Sequence, residues 1–128
     1  MELELIHKRL IKFRLWNGKK MIIPNNIHNN KLNDEEKLMQ FTGLHDVHGK
    51  EIYEGDIVLP AKFKDIPNTV IFTANGFYRV KIQKGKTYQN ILGTCALIII
   101  GNIFETKTDF TPEGNLLLLE NRPKQKNL

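Results

Sequence analysis

The sequence holds two Asn-Gly dipeptides, Asn17-Gly18 and Asn75-Gly76, each set between runs in which polar and apolar residues alternate. Asn and Gly tolerate the positive φ that a tight two-strand turn demands, so Asn-Gly between alternating flanks predicts a β-hairpin. Lys12-Phe13-Arg14-Leu15-Trp16 leads into the first, and Lys20-Met21-Ile22-Ile23 leads away to Pro24. A period of two puts Phe13 and Leu15 on one face of that strand and Arg14 and Trp16 on the other. Thr69-Val70-Ile71-Phe72-Thr73 leads into the second, and Phe77-Tyr78-Arg79-Val80-Lys81-Ile82 returns from it.

Further short strands are predicted around these hairpins. Leu38 to Leu44 is one, followed by a tight turn over His45-Asp46-Val47-His48-Gly49-Lys50 in which Asp46 and Gly49 take turn-favouring roles. Ile57-Val58-Leu59 is another, confined by Pro60 to an edge or a strand end. Leu97 to Phe104 is strongly apolar and predicts a buried strand with a bend or bulge at Gly101-Asn102. Asp34 to Lys37 has room for one helical turn, and the four leucines between Asn115 and Glu120 fit strand and helix equally well. Residues 84–96 and 106–120 carry no pattern that assigns a structure.

Many short strands with glycine turns and little helix predict a mainly β fold, a small SH3-like barrel-type domain. The 128 residues suit one domain, drawn here over 1–120, with a basic disordered tail over 121–128.

Other classes fall away on simple grounds. The single cysteine, Cys95, excludes an intrachain disulfide and a multi-cysteine zinc site, and beside Ala96 and Leu97 it is expected to be buried. The run Ala96 to Ile100 is far short of the roughly 20 apolar residues of a spanning helix. Met1-Glu2-Leu3-Glu4 lacks the basic start and apolar stretch of a signal peptide, so a cytoplasmic address without membrane contact is expected.

The net charge of +5 is spread unevenly: +4 over residues 1–30, −4 over 31–60, +5 over 61–90, and zero over 91–128. Clustered base points to an anionic partner. The intervening acidic block could instead meet the basic ones across subunits of a homo-oligomer.

Three constellations could carry chemistry. His45, Asp46 and His48 are the one histidine–carboxylate cluster, but on a turn their side chains diverge and no fourth ligand accompanies them. Glu51, Glu54 and Asp56 lack a partner base or nucleophile for acid–base work. Trp16, Phe77, Tyr78 and Arg79 with Lys81, Lys84 and Lys86 combine rings with cations, which can stack bases and track phosphates. No catalytic residue, metal or cofactor is expected. The tentative nucleic-acid contacts are Trp16, Tyr78, Arg79, Lys81, Lys84 and Lys86, with the basic side chains of 79–86 exposed.

The stretch from Leu38-Met39-Gln40-Phe41-Thr42-Gly43-Leu44-His45-Asp46 through Gly49-Lys50-Glu51-Ile52-Tyr53-Glu54-Gly55-Asp56-Ile57-Val58 resembles the core motif of the YopX family. Lys12 to Trp16 with Lys20-Met21 is similar to that family's N-terminal hairpin, and Ile100-Gly101-Asn102-Ile103-Phe104-Glu105 to its closing motif. The resemblance implies a β-rich, SH3-type barrel in a protein of bacteriophage or prophage origin, and it implies no activity. In the motif's own residues, Thr42-Gly43-Leu44 predicts a strand turning a corner, and Gly55-Asp56 a strand entry where Asp56 accepts bonds from nearby backbone N–H groups. The expectation is a non-enzymatic accessory module that binds a host or phage protein or copies of itself; the alternative is nucleic-acid binding through residues 79–86.

Overall fold

The computed structural model describes residues 10–23, 34–62, 67–83, 86–110 and 116–118. The described residues contain eleven strands and no helix: β1 (Phe13–Trp16), β2 (Met21–Ile22), β3 (Lys37–His45), β4 (Glu51–Tyr53), β5 (Asp56–Pro60), β6 (Asn68–Thr73), β7 (Gly76–Gln83), β8 (Lys86–Ile91), β9 (Leu97–Asn102), β10 (Thr108–Phe110) and β11 (Leu116–Leu118). They form a four-stranded sheet β2-β1-β3-β4, a five-stranded sheet β8-β7-β6-β5-β9 and the pair β10-β11. Every pairing is antiparallel. The five-stranded sheet curls into a half-barrel, so the expected mainly β, barrel-type architecture is what the molecule has.

Both Asn-Gly dipeptides lie at hairpin turns. Between β1 and β2 the Asn17 side chain builds the turn, its Oδ1 accepting from Lys19 N at 2.8 Å and Lys20 N at 2.9 Å. Between β6 and β7, Thr73 pairs with Gly76, so Ala74 and Asn75 span the turn and the glycine closes it. Asp34 and Glu35 form a turn rather than a helix, and the undecided leucine run contains strand β11. The unassigned stretches contain β8 and β10. The segment 121–128 lies outside the described residues.

The β3 bend falls at the expected Thr42-Gly43-Leu44 corner, and the β9 bulge falls one residue before the expected Gly101-Asn102. The β3–β4 register shifts between Phe41 and His45, where Thr42 Oγ1 donates to Ile52 O at 2.7 Å and accepts from Leu44 N at 3.1 Å. The β5–β9 register shifts between Ile57 and Val58, which leaves Ile100 as the extra residue of a bulge. Pro60 ends β5, which is an inner strand, so its missing N–H falls at the strand's end.

Gly55 is the corner at which the chain leaves one sheet for the other. Its φ of +90° suits glycine, and a Cβ there would lie 2.9 Å from Met39 Sδ. Its N–H donates to Val70 O at 2.8 Å and its carbonyl accepts from Ile103 N at 2.9 Å. Val58, Val70, Leu92 and Leu97 meet Ile52 of β4 in the core, with Phe77 and Ile99 packed against them. Full burial of such side chains is worth about 1.5–3 kcal/mol each. This cluster holds the curled sheet against the other one.

Candidate functional site

Strand alternation and register decide what faces the hollow of the curled sheet. Arg79 pairs with Val70 on one side and Asn90 on the other, and Lys81 pairs with Asn68. In-register partners share a face, so Arg79, Lys81, Asn68 and Asn90 lie on the same face as core residue Val70. Beyond the core, that face opens into a cleft of about 700 Å³. Lys62 after β5 and Thr94 and Cys95 after β8 complete its polar wall, and none of its described lining residues is acidic.

Arg79 is the deepest cation of the cleft. Only 9% of it is exposed. Its Nη2 donates to Thr94 Oγ1 at 3.3 Å, and that hydroxyl donates to Ile91 O at 3.0 Å. Its Nε is buried with no hydrogen-bond partner. Burying a guanidinium opposite a hydroxyl rather than a carboxylate is unfavourable, because neutral acceptors do not replace the hydration of a full charge. An anion in the cleft would supply the missing interaction.

The residues named from sequence divide accordingly. Arg79 and Lys81 share a face as expected and both line the cleft. The expectation that all the basic side chains are exposed fails at Arg79, because the β7 register aims it at the hollow. Tyr78 lies on the opposite face, paired with Ile71 and Ile91. Trp16 belongs to the other sheet and stacks on Phe104, ring centroids 5.7 Å apart. Lys86 opens β8, and Lys84 lies outside the described residues. Lys62, Asn68, Asn90 and Thr94 were not legible as site residues, since only strand register and loop placement bring them together. Cys95 is exposed at the cleft rather than buried among its apolar neighbours.

The acidic stretch over 46–56 is spent within the molecule. Asp46 Oδ1 accepts from His48 N at 2.8 Å and Lys50 N at 2.9 Å, and its Oδ2 accepts from Ile99 N at 3.1 Å. With Val47 N donating to Leu97 O, the turn covers the outer edge of β9. Burial raises the Asp46 carboxyl, but the three amides outweigh it and leave the group below its ordinary range. Glu51 pairs with Lys12 and is likewise held down, chiefly by that cation. Glu51 Oε1 also accepts from Tyr53 Oη at 3.1 Å. Burial, then that acceptor, pushes the phenol up to about 12.

Asp56 is almost fully enclosed. Its Oδ1 accepts from Arg14 Nη2 at 2.7 Å and its Oδ2 from Tyr53 N at 2.8 Å, the local backbone bond expected of it. The Arg14 guanidinium also stacks over the Tyr53 ring at 4.8 Å. Burial raises the Asp56 carboxyl, against the pull of Arg14 and the Tyr53 amide. His45 packs edge-on against Phe41. Among the described residues no group of three or more His, Cys, Asp or Glu side chains is placed to hold a metal ion.

A family model for the YopX protein matches residues 17–108. The chain belongs to the YopX family. The match runs from the first hairpin turn to the start of β10, so it takes in the whole five-stranded sheet, strands β2, β3 and β4 of the other, and every described residue lining the cleft. In this YopX-family chain the motif residues Thr42, Gly55, Asp56 and Asn102 act as bulge, corner, ion-pair and turn elements. Asn102 Oδ1 accepts from Phe104 N and Glu105 N, and its Nδ2 donates to Glu105 Oε1 at 2.7 Å. The motif is therefore a fold signature, and the cleft residues lie among less patterned stretches. No curated protein matches the chain. Among the described residues no helix is long and apolar enough to cross a membrane.

Proposed function

We propose that this YopX-family protein is a non-enzymatic accessory module of a phage or prophage that binds a polyanionic partner, nucleic acid, through the Lys62–Arg79–Lys81 cleft. The observation that carries this is the cleft's charge: three cations and no acid among its described lining residues, one of the cations nine-tenths buried. The acidic block would otherwise repel a polyanion. Its Asp46, Glu51 and Asp56 carboxylates are occupied by backbone amides, Lys12 and Arg14, which favours nucleic acid over a charge-paired homo-oligomer.

The test is fluorescence anisotropy with labelled single- and double-stranded DNA and RNA at low ionic strength. Binding should weaken linearly in log salt as phosphate counterions are displaced. Combined Lys62→Gln, Arg79→Met and Lys81→Gln substitution should remove it. Absence of salt-sensitive binding to all four would end the proposal.

A second function, self-association or docking of a protein partner, is supported by apolar exposure on the curled sheet, at Phe72 on the face of Arg79 and at Ile91 on the opposite face. Phe72 is 55% and Ile91 58% exposed. The β8 edge has no strand partner among the described residues, and such edges invite strand pairing with another chain. Light scattering at micromolar concentration would then give a mass above 14.9 kDa; a clean monomer in low and moderate salt would refute it.

A further inference from the structure

We infer that the cleft takes the end of a nucleic-acid strand, with Arg79 receiving a terminal phosphate monoester; this rests on the nucleic-acid function proposed above. Two observations favour an end over a continuous strand.

The first is shape. A volume of about 700 Å³ falls within the 300–1,000 Å³ of pockets that enclose one small ligand. Surfaces that track single strands instead run along roughly 4–16 nucleotides.

The second is depth. Arg79 is 9% exposed and keeps a buried Nε with no hydrogen-bond partner, beside the Nη2 that reaches Thr94 Oγ1. An internal phosphodiester carries one charge and is flanked by two sugars, which hold it away from a recessed guanidinium. A terminal phosphate projects from the strand, carries about −1.5 to −2 charge at pH 7 and presents three acceptor oxygens. A guanidinium binds such a group through its planar fork of donors, in charge-assisted bonds about twice as strong as neutral ones.

Anisotropy with one labelled single strand in 5′-phosphate, 3′-phosphate and unphosphorylated forms tests this. At least one phosphorylated form should bind about tenfold or more tightly than the unphosphorylated strand, a gain of about 1.4 kcal/mol. The matching nucleoside monophosphate should compete, and the nucleoside should not. Arg79→Lys and Lys81→Gln should each reduce the preference while circular dichroism and thermal melting show the fold retained. Equal affinity for all three forms would overturn the end-recognition inference; the cleft itself would still stand if Lys62→Gln and Lys81→Gln weakened that binding. No binding of any form would overturn both.

Discussion

Arg14 and Arg79 are equally hidden, each 9% exposed, and each keeps a buried Nε without a hydrogen-bond partner. Their surroundings differ. Arg14, between the two large sheets, meets the Asp56 carboxylate, the Glu54 carbonyl and the Tyr53 ring. Arg79, at the cleft, meets the Thr94 hydroxyl. A buried cation answered by a carboxylate belongs to the fold. One answered by a hydroxyl, at an open hollow, is placed for an anion from outside.

The largest expected effect tests that contrast directly. Arg14→Met leaves Asp56 enclosed without its cation and should cost about 3–5 kcal/mol, the usual result of breaking a buried pair. Arg79→Met exchanges a poorly compensated charge for an apolar chain of similar length. It should change stability by less than about 1 kcal/mol while weakening oligonucleotide binding. Urea unfolding of both variants decides it: equal losses would make Arg79 a structural residue and remove the basis for the cleft's function.

Next in size is a test of how tightly the Arg14 region is built. Gly101 lines a polar cavity with Arg14, Lys50, Asp56 and Asn102, and a Cβ on it would lie 2.1 Å from Thr106 Oγ1. That hydroxyl accepts from Asn102 N at 3.1 Å, so it cannot retreat without losing the bond. Gly101→Ala should cost about 1–3 kcal/mol by overpacking. At Gly43 an added Cβ meets nothing within 4 Å, and only its positive φ opposes alanine, at about 1–2 kcal/mol. A Gly101→Ala loss below that of Gly43→Ala would show that the turn after β9 yields.

Acid separates the two kinds of carboxylate in the first region. Asp46 and Glu51 are held low, so their stabilisation is complete above the unfolded range near pH 4 and is lost as pH falls through their folded values. Asp56 is held high by burial, so the sign reverses: it takes up its proton first in the folded state, and stability recovers slightly as pH falls through that value. The chemical-denaturation midpoint should therefore stay level or rise slightly on mild acidification and then fall below about pH 4. Asp46→Asn should make that fall shallower, and an unchanged slope would contradict the role given to its three amides.

The first region was far more legible in the sequence than the second. Asn17 and Asn102 act through neighbours two or three residues away, and Thr42 and Asp56 each make one bond of that kind, so local turn chemistry reveals them. Strand period two placed Arg79 and Lys81 on one face, but which face is set by pairing with β6 and β8, and alternation alone does not say. The Lys62–Thr94 wall depends on two segments that meet only because β9, entered just after Thr94, pairs with β5, Pro60 lying opposite Leu97. The acidic block was partly illegible for a related reason: counting charges along the chain does not show that Asp56 lies against Arg14, 42 residues earlier.

The smallest expected effect concerns lysines alone and needs no change in stability. Lys12 pairs with Glu51 at the surface, the two side chains about one-third exposed, and such pairs are worth about 0.2–1 kcal/mol. Lys62 and Lys81 line the cleft. If each neutralises a phosphate, Lys62→Gln and Lys81→Gln should each lower the slope of log affinity against log salt by about 0.7 for a single strand. Lys12→Gln removes a charge of the same size outside the cleft, so the slope should not move. The slope, unlike the affinity at one salt concentration, counts displaced counterions and is insensitive to a modest loss of folded protein. Equal slope changes for Lys12→Gln and Lys62→Gln would mean that binding reads total charge, and that the cleft has no special standing.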